Sequence, residues 1–216
     1  IAYIEYDVRE GEEGDRIIEI DPGGDEWEVW SVWDDFDSGG AGGPGTTFSH
    51  CNALDYYEDE DAFYVSSLGL GSLMKVDRAA GELVWAMGGD DSDFILGDGS
   101  TDFFDKNHQF HRLEDSILVF VNGNEHTNCS EVREYGYDDG GGPAELIWSY
   151  MPSPCVYSFS LGDASRLETG HTLATFSNQG QIDEVDEEGD LVWRLNAGLG
   201  GALGYATFLE DLYGTD

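Results

Sequence analysis

The sequence predicts an all-β fold, a β-propeller of four-stranded antiparallel blades, with about four to five blades' worth of chain in its 216 residues. The first observation behind this is the stretch His171–Trp193, HTLATFSNQGQIDEVDEEGDLVW. It reads as a strand at Thr172–Phe176, a polar turn at Ser177–Gly180 and a second strand at Gln181–Asp186. Ile182 and Glu184 lie on one face of that strand, Asp183 and Val185 on the other, and a turn at Glu187–Asp190 leads into Leu191-Val192-Trp193. Short β-prone runs punctuated by Gly, Asn and Asp are the mark of antiparallel strands joined by tight turns.

The second observation is repetition. DRIIEIDPGGDEWEVW closes at Trp30, SLMKVDRAAGELVW at Trp85 and SEVREYGYDDGGGPAELIW at Trp148, before the ending at Trp193. The four tryptophans are 55, 63 and 45 residues apart. A period in this range with one recurring aromatic belongs to a propeller or a similar array. A β-sandwich with accidental tryptophans is the plainer alternative, and four similar endings weigh against it.

Taken in order, residues 1–33 hold two strands' worth of β-prone sequence and the first ending. Asp34–Thr47, DDFDSGGAGGPGTT, is a Gly-rich acidic stretch expected to be a flexible surface loop. Strands are expected at Ala62–Ser67 and at Ser116–Val121, the latter running into the turn Asn122-Gly123-Asn124, followed by a loop carrying His126. Pro152 and Pro154 mark a bend, and Ser158–Leu167 leads into the unit described first. Gly204–Tyr213 reads as a last strand that would close a blade. With no linker and no helix of convincing period, the expectation is a single domain over residues 1–216.

Nine Lys and Arg against 46 Asp and Glu give a net charge of −37, and Lys75 and Lys106 are the only lysines. Nucleic acid is excluded as a natural partner, because phosphates would be repelled. The acidity fits a halophile-type surface screened by salt, since the acids are spread over nearly every turn. It also fits cation sites, because calcium takes clustered carboxylate and carbonyl oxygens. Asp90, Asp91, Asp93, Asp98, Asp102 and Asp105 crowd one stretch without the EF-hand pattern, and a solvated loop is the simpler reading. Cys51, Cys129 and Cys155 leave one odd cysteine. Three pairings are open, Cys129–Cys155 with Cys51 free among them, and none of the spacings suggests zinc. No run of 18 apolar residues exists, so no span of a membrane is expected. The opening at Ile1, with no initiator Met, suggests a mature or trimmed chain.

Five histidines in so acidic a chain are the candidates for chemistry. His50, His108 and His111 each stand near the junction of a loop and a strand, and imidazole serves as base, nucleophile or metal ligand near neutral pH. No G-x-S-x-G, P-loop or H-E-x-x-H motif is present.

The ordered set HCNALDY (50–56), VSSLGLGSLMKVDRAAGELVWAMGG (65–89), NHQFHRL (107–113), LVFVNGN (118–124) and SFSLGDASRLETGHTL (158–173) resembles the arylsulfotransferase family of β-propellers. That family shows a His-x-Asn motif, a serine-containing strand, a Lys-Ile-Asp step, a Gly-x-x-x-Trp ending, a Leu-Gly-Gly turn, a Gln-His pair and a Phe-Asp-Asn-Gly turn. The resemblance implies a six-bladed propeller, exported to the periplasm or cell exterior. It implies transfer of a sulfuryl group from an aryl sulfate to a phenol through a sulfated histidine, without a nucleotide cofactor. His50 matches the His-x-Asn histidine, with Asn52 as its partner, and His108 matches the Gln-His histidine, with Asn107 in place of Gln. His108 ranks ahead of His50 as the sulfated residue. The family's Ser-Arg-Ala-x-Glu-Tyr block, whose Arg would grip sulfate bidentately, reads here Ser130-Glu131-Val132-Arg133-Glu134-Tyr135. Glu131 stands in the Arg position, and Arg133, two residues on and on the same strand face, is the candidate substitute.

Four endings are about two blades short of such a ring, so the resemblance predicts missing N-terminal blades, or self-association or a partner chain completing the propeller. The alternative function is a non-catalytic secreted propeller, a structural or assembly subunit stabilised by Ca²⁺. A guanidinium at the histidines would favour transfer, and carboxylates alone would favour a metal site or none.

Overall fold

The computed structural model describes residues 1–39, 47–104, 106–123, 129–198 and 202–207. Residues 40–46 of the Gly-rich stretch, Asp105, Asn124 of the expected turn, His126 and residues 208–213 of the expected last strand lie outside these.

Strands run in chain order as β1 (Ala2–Arg9), β2 (Glu12–Ile20), β3 (Glu26–Ser31), β4 (Cys51–Tyr57), β5 (Ala62–Ser67), β6 (Ser72–Asp77), β7 (Glu82–Met87) and β8 (Phe94–Ile95). They continue as β9 (Asn107–Arg112), β10 (Ser116–Val121), β11 (Glu131–Gly136), β12 (Gly142–Pro143), β13 (Glu145–Tyr150), β14 (Asp163–Arg166), β15 (Thr172–Phe176), β16 (Gln181–Val185) and β17 (Leu191–Asn196). Two short 3-10 turns, Val32–Asp34 and Ser177–Gln179, are the only helical elements among the described residues.

The chain forms two compact units, Ile1–Asn107 with Tyr137–Glu145, and His108–Gly136 with Leu146–Asp216. The first contains the sheets β1-β2-β3 and β4-β5-β6-β7 and the parallel pair β8/β12. Its core is where the two sheets meet: Ile17, Val29, Trp30 and Val32 pack with Phe63, Val65, Met74 and Val76. The second unit holds the sheet ordered β13-β11-β10-β9, apart from its end residues Asn107 and Glu145, and the sheet β14-β15-β16-β17. Leu118, Phe120 and Val132 pack there against Ala164, Ala174, Phe176 and Val185, with the Phe120 and Phe176 rings edge-on at 5.5 Å.

Middle strands explain why alternation is imperfect in the sequence. Every residue of β5, β10 and β15 is buried, so both faces are covered and the code becomes a near-continuous apolar run such as Ile117–Val121. Alternation survives on β16, where Gln181, Asp183 and Val185 are buried and Ile182 and Glu184 half-buried.

Each repeat ending lies on the outermost strand of one sheet: Trp30 on β3, Trp85 on β7, Trp148 on β13 and Trp193 on β17. The residue before the tryptophan is skipped in the pairing register at three of them. Ile17 and Ile18 pair with Trp30 and Glu28, Lys75 and Val76 with Trp85 and Leu83, and Glu184 and Val185 with Trp193 and Leu191. Val29, Val84 and Val192 are thus the extra residues of equivalent β-bulges, which bend the outer strand and increase its twist.

Many of the acids close turns. Asp21 Oδ1 accepts from the N–H groups of Gly23 (2.7 Å) and Asp25 (3.0 Å), Asp77 Oδ1 from Ala80 (2.7 Å) and Asp186 Oδ1 from Asp190 (2.7 Å). Asp at these positions does the work of a backbone carbonyl, so part of the acidity is turn chemistry. The strand expected over 204–213 is not found across 204–207, which form no strand. The sheet it would have closed already has four strands in β14–β17.

Candidate functional site

His108 opens onto the second unit at the start of β9, buried with 9% of its surface exposed. Its Nδ1 lies 2.5 Å from Asn122 Oδ1, just past the end of β10, and its Nε2 accepts the Leu161 N–H at 3.0 Å. Asn122, with 0% exposure, is itself fixed: its Nδ2 donates to Ser158 O (2.6 Å) and Leu161 O (2.8 Å). Carbonyl oxygens only accept, so the amide has one orientation, with Oδ1 toward the imidazole. His108 is therefore the neutral tautomer with its proton on Nδ1 and its lone pair on Nε2.

The surrounding segment is held by hydroxyls and by a disulfide. Ser130 Oγ donates to Asn122 O (2.7 Å) and accepts from Ser158 N (2.8 Å), Ser130 N donates to Val156 O (2.7 Å), and Cys129 is bonded to Cys155. The bridge realises one of the three pairings and leaves Cys51 free. Two glycines make the approach feasible. A Cβ on Gly123 (φ +91°) would lie 1.9 Å from Cys129 O, and one on Gly162 (φ +121°) 2.2 Å from the Phe120 ring.

Arg133 lies on β11 and is engaged by Glu131. Its Nε donates to Glu131 Oε1 at 2.8 Å, its Nη2 bonds the same oxygen, and Nη1 lies 3.4 Å from the Tyr135 hydroxyl. Arg133 and Glu131 share a strand face, as the spacing predicts, and the consequence is an ion pair between them. His111, also on β9, accepts the Arg166 N–H on Nδ1 at 3.0 Å, while the Arg166 guanidinium goes to Glu134 (2.5 Å). Burial, with Arg166 and then Arg112 nearby, holds the His111 imidazole below its ordinary pKa.

His50 and Asn52 belong to the first unit. His50 is exposed, has φ +45°, and is anchored through its backbone N–H to Thr47 Oγ1 at 2.7 Å. Asn52 turns to Asn107: its Nδ2 donates to Asn107 O at 2.8 Å. The Asn107 side chain donates to Ser66 Oγ (2.7 Å) and Ser72 O (3.1 Å). The Oδ1 atoms of both Asn52 and Asn107 are buried without a hydrogen-bond partner, and they offer acceptors where a sulfate would require donors. The four candidates thus divide two to each unit. Asn122, Ser130, Ser158 and Leu161 were not among the sequence candidates. The Asn122-Gly123 dipeptide was legible only as a turn.

Among the described residues, no group of three or more His, Cys, Asp or Glu side chains is arranged to hold a metal ion. Asp93 and Asp98 are occupied by the backbone N–H groups of Ala86 (2.9 Å) and Ser100 (3.0 Å). No helix among the described residues is long and apolar enough to cross a membrane.

Antiparallel sheets with a tryptophan strand outermost, three of those strands bulged at the preceding residue, are blades of a β-propeller. The chain is similar in fold to the Cps50 (Swd1) β-propeller domain of Myceliophteria thermophila, at TM-score 0.53 and 13% identity over 87% of this chain and 57% of that one. A protein of unknown function from Bacteroides caccae matches at TM-score 0.55 and 14% identity, over 91% and 58% of the two chains. A streptogramin B lyase structure matches at TM-score 0.53 and 12% identity, over 93% and 61%. The chain spans less than two thirds of the length of each of these structures. No curated protein matches it in sequence. The sequence model of the arylsulfotransferase (ASST) family matches residues 14–198, and the chain belongs to that family.

Proposed function

We propose that this propeller transfers a sulfuryl group from an aryl sulfate to a phenolic acceptor, with His108 as the residue that carries the group. The observation that supports this most is the state of His108: neutral, with Nδ1–H held by Asn122 Oδ1 and the lone pair on Nε2. A nucleophilic imidazole requires that lone pair. His50 is the second candidate for the residue that carries the group. Arg133 is assigned to sulfate, on condition that Glu131 releases it. No nucleotide or metal is required by this chemistry. The Cys129–Cys155 disulfide favours an oxidising setting outside the cytoplasm. Turnover of a chromogenic aryl sulfate with a phenol acceptor at molar salt tests the reading. Loss of that turnover in His108→Ala supports it, and none from the folded chain rejects it.

A second reading rests on two specific contacts. The Glu131–Arg133 pair and the Leu161 N–H on His108 Nε2 together suit a propeller whose site has become structural, serving as a scaffold or cation-stabilised subunit. Binding of Ca²⁺ with a rise in melting temperature, without turnover, would favour it.

A further inference from the structure

We infer that Asn122 is a positioning residue for transfer: by holding His108 in the Nδ1–H tautomer it makes Nε2 the nitrogen that takes the sulfuryl group. This rests on the transfer reading above. Ser158 O and Leu161 O can only accept, so Asn122 Nδ2 must face them and Asn122 Oδ1 must face His108. An amide oxygen also only accepts, so Nδ1 must carry the proton. The Leu161 N–H, a donor, then meets a lone pair on Nε2, and the two ends of the ring agree. A buried amide thus fixes which tautomer the neutral ring adopts, as orienting groups on catalytic histidines do.

The Leu161 N–H occupies the position from which Nε2 must attack, so the sulfuryl group enters by displacing it. Leu161 stands at φ +56° and Gly162 at φ +121°, both in left-handed backbone. In the first half-reaction the Nε2 lone pair forms a bond to sulfur, the S–O bond to the ring breaks, and the aryl oxide leaves with its electron pair. The imidazolium that results keeps its Nδ1 proton on Asn122 Oδ1. In the second, a phenol oxygen bonds to sulfur, the N–S bond breaks, and its electron pair returns to Nε2. The acceptor's proton passes through solvent to the aryl oxide released in the first half.

The test is ¹⁵N NMR of histidine-labelled full chain at neutral pH, read with steady-state kinetics. In the wild type, His108 is expected to show a protonated Nδ1 and an unprotonated Nε2. A protonated Nε2 overturns the inference. In Asn122→Ala the single tautomer is expected to be lost, with kcat down on the order of 100-fold and KM little changed. An unchanged tautomer or an unchanged kcat overturns it. Asn122→Asp keeps an acceptor at Nδ1–H and carries the test if the alanine variant does not fold. It is expected to retain the tautomer, and a switch to Nε2–H counts against the inference. A wild-type protein with the expected tautomer and no turnover overturns the transfer reading and the catalytic role of Asn122 with it. A wrong tautomer in an active enzyme overturns only the role of Asn122.

Discussion

The guanidinium of Arg133 is held by the carboxylate of Glu131, two residues earlier on the same face of β11. Both side chains are largely shielded from solvent, so the pair is a neutral local unit in a chain of net charge −37. A sulfate approaching Arg133 must displace a carboxylate and is repelled by it. On the proposed transfer function, this contact would set how readily Arg133 accepts an anion.

Glu131→Gln should therefore strengthen anion binding. Freeing one charge-assisted hydrogen bond is worth about 1.5 kcal/mol, or roughly tenfold in affinity. Titration of inorganic sulfate by calorimetry would show tighter binding than to wild type, and equal affinities would mean that Arg133 does not meet the anion.

Asp183, fully buried on β16, is satisfied by Arg194 through two contacts at 2.6 and 2.7 Å, by the Tyr150 hydroxyl at 2.8 Å and by Gln181 at 2.9 Å. Arg194→Ala leaves this carboxylate buried without its cation. A loss of about 3 kcal/mol in unfolding free energy is expected, measured by urea denaturation. A change within about 0.5 kcal/mol would show that Tyr150 and Gln181 suffice.

His111 should make stability depend on pH in a defined direction. Burial lowers its folded pKa, so the unfolded chain binds the proton more tightly. Its contribution is complete above the unfolded imidazole value near 6.5 and is lost as pH falls through the lower folded value. The melting-temperature difference between wild type and His111→Asn should thus shift against the wild type on acidification below that value. A constant difference from neutral to acid pH would contradict it.

Salt should stabilise the chain. Self-repulsion among 46 acids against nine bases is screened within about 10 Å at 0.1 M salt and more strongly above it. The melting temperature should rise from millimolar to molar NaCl. A flat or falling curve removes the reading of the acidity as salt adaptation.

Much of the fold was legible because it is written in local patterns. Thr172–Phe176, Ala62–Ser67 and Ser116–Val121 are strands with the bounds that composition and flanking turns suggest. The Trp endings mark outer strands, three of them bulged at the residue before the tryptophan. What escaped depends on distance along the chain. Asn122 meets His108 across a hairpin, and Leu161 reaches it from 53 residues away. Neither contact leaves a periodic trace. Arg133 was placed on the correct face, yet its partner proved to be the adjacent Glu131. The tail at 204–207 has β-prone residues and no free place in its sheet, which four earlier strands had filled.

The most direct measurement is to quench the full chain during reaction with an aryl sulfate, without acceptor, and map the sulfuryl group by peptide mass spectrometry. The account predicts one sulfuryl group on the peptide containing His108, removed when phenol is added and absent in His108→Ala. A stoichiometric group on His50 or elsewhere, or turnover with no modified peptide, would contradict it.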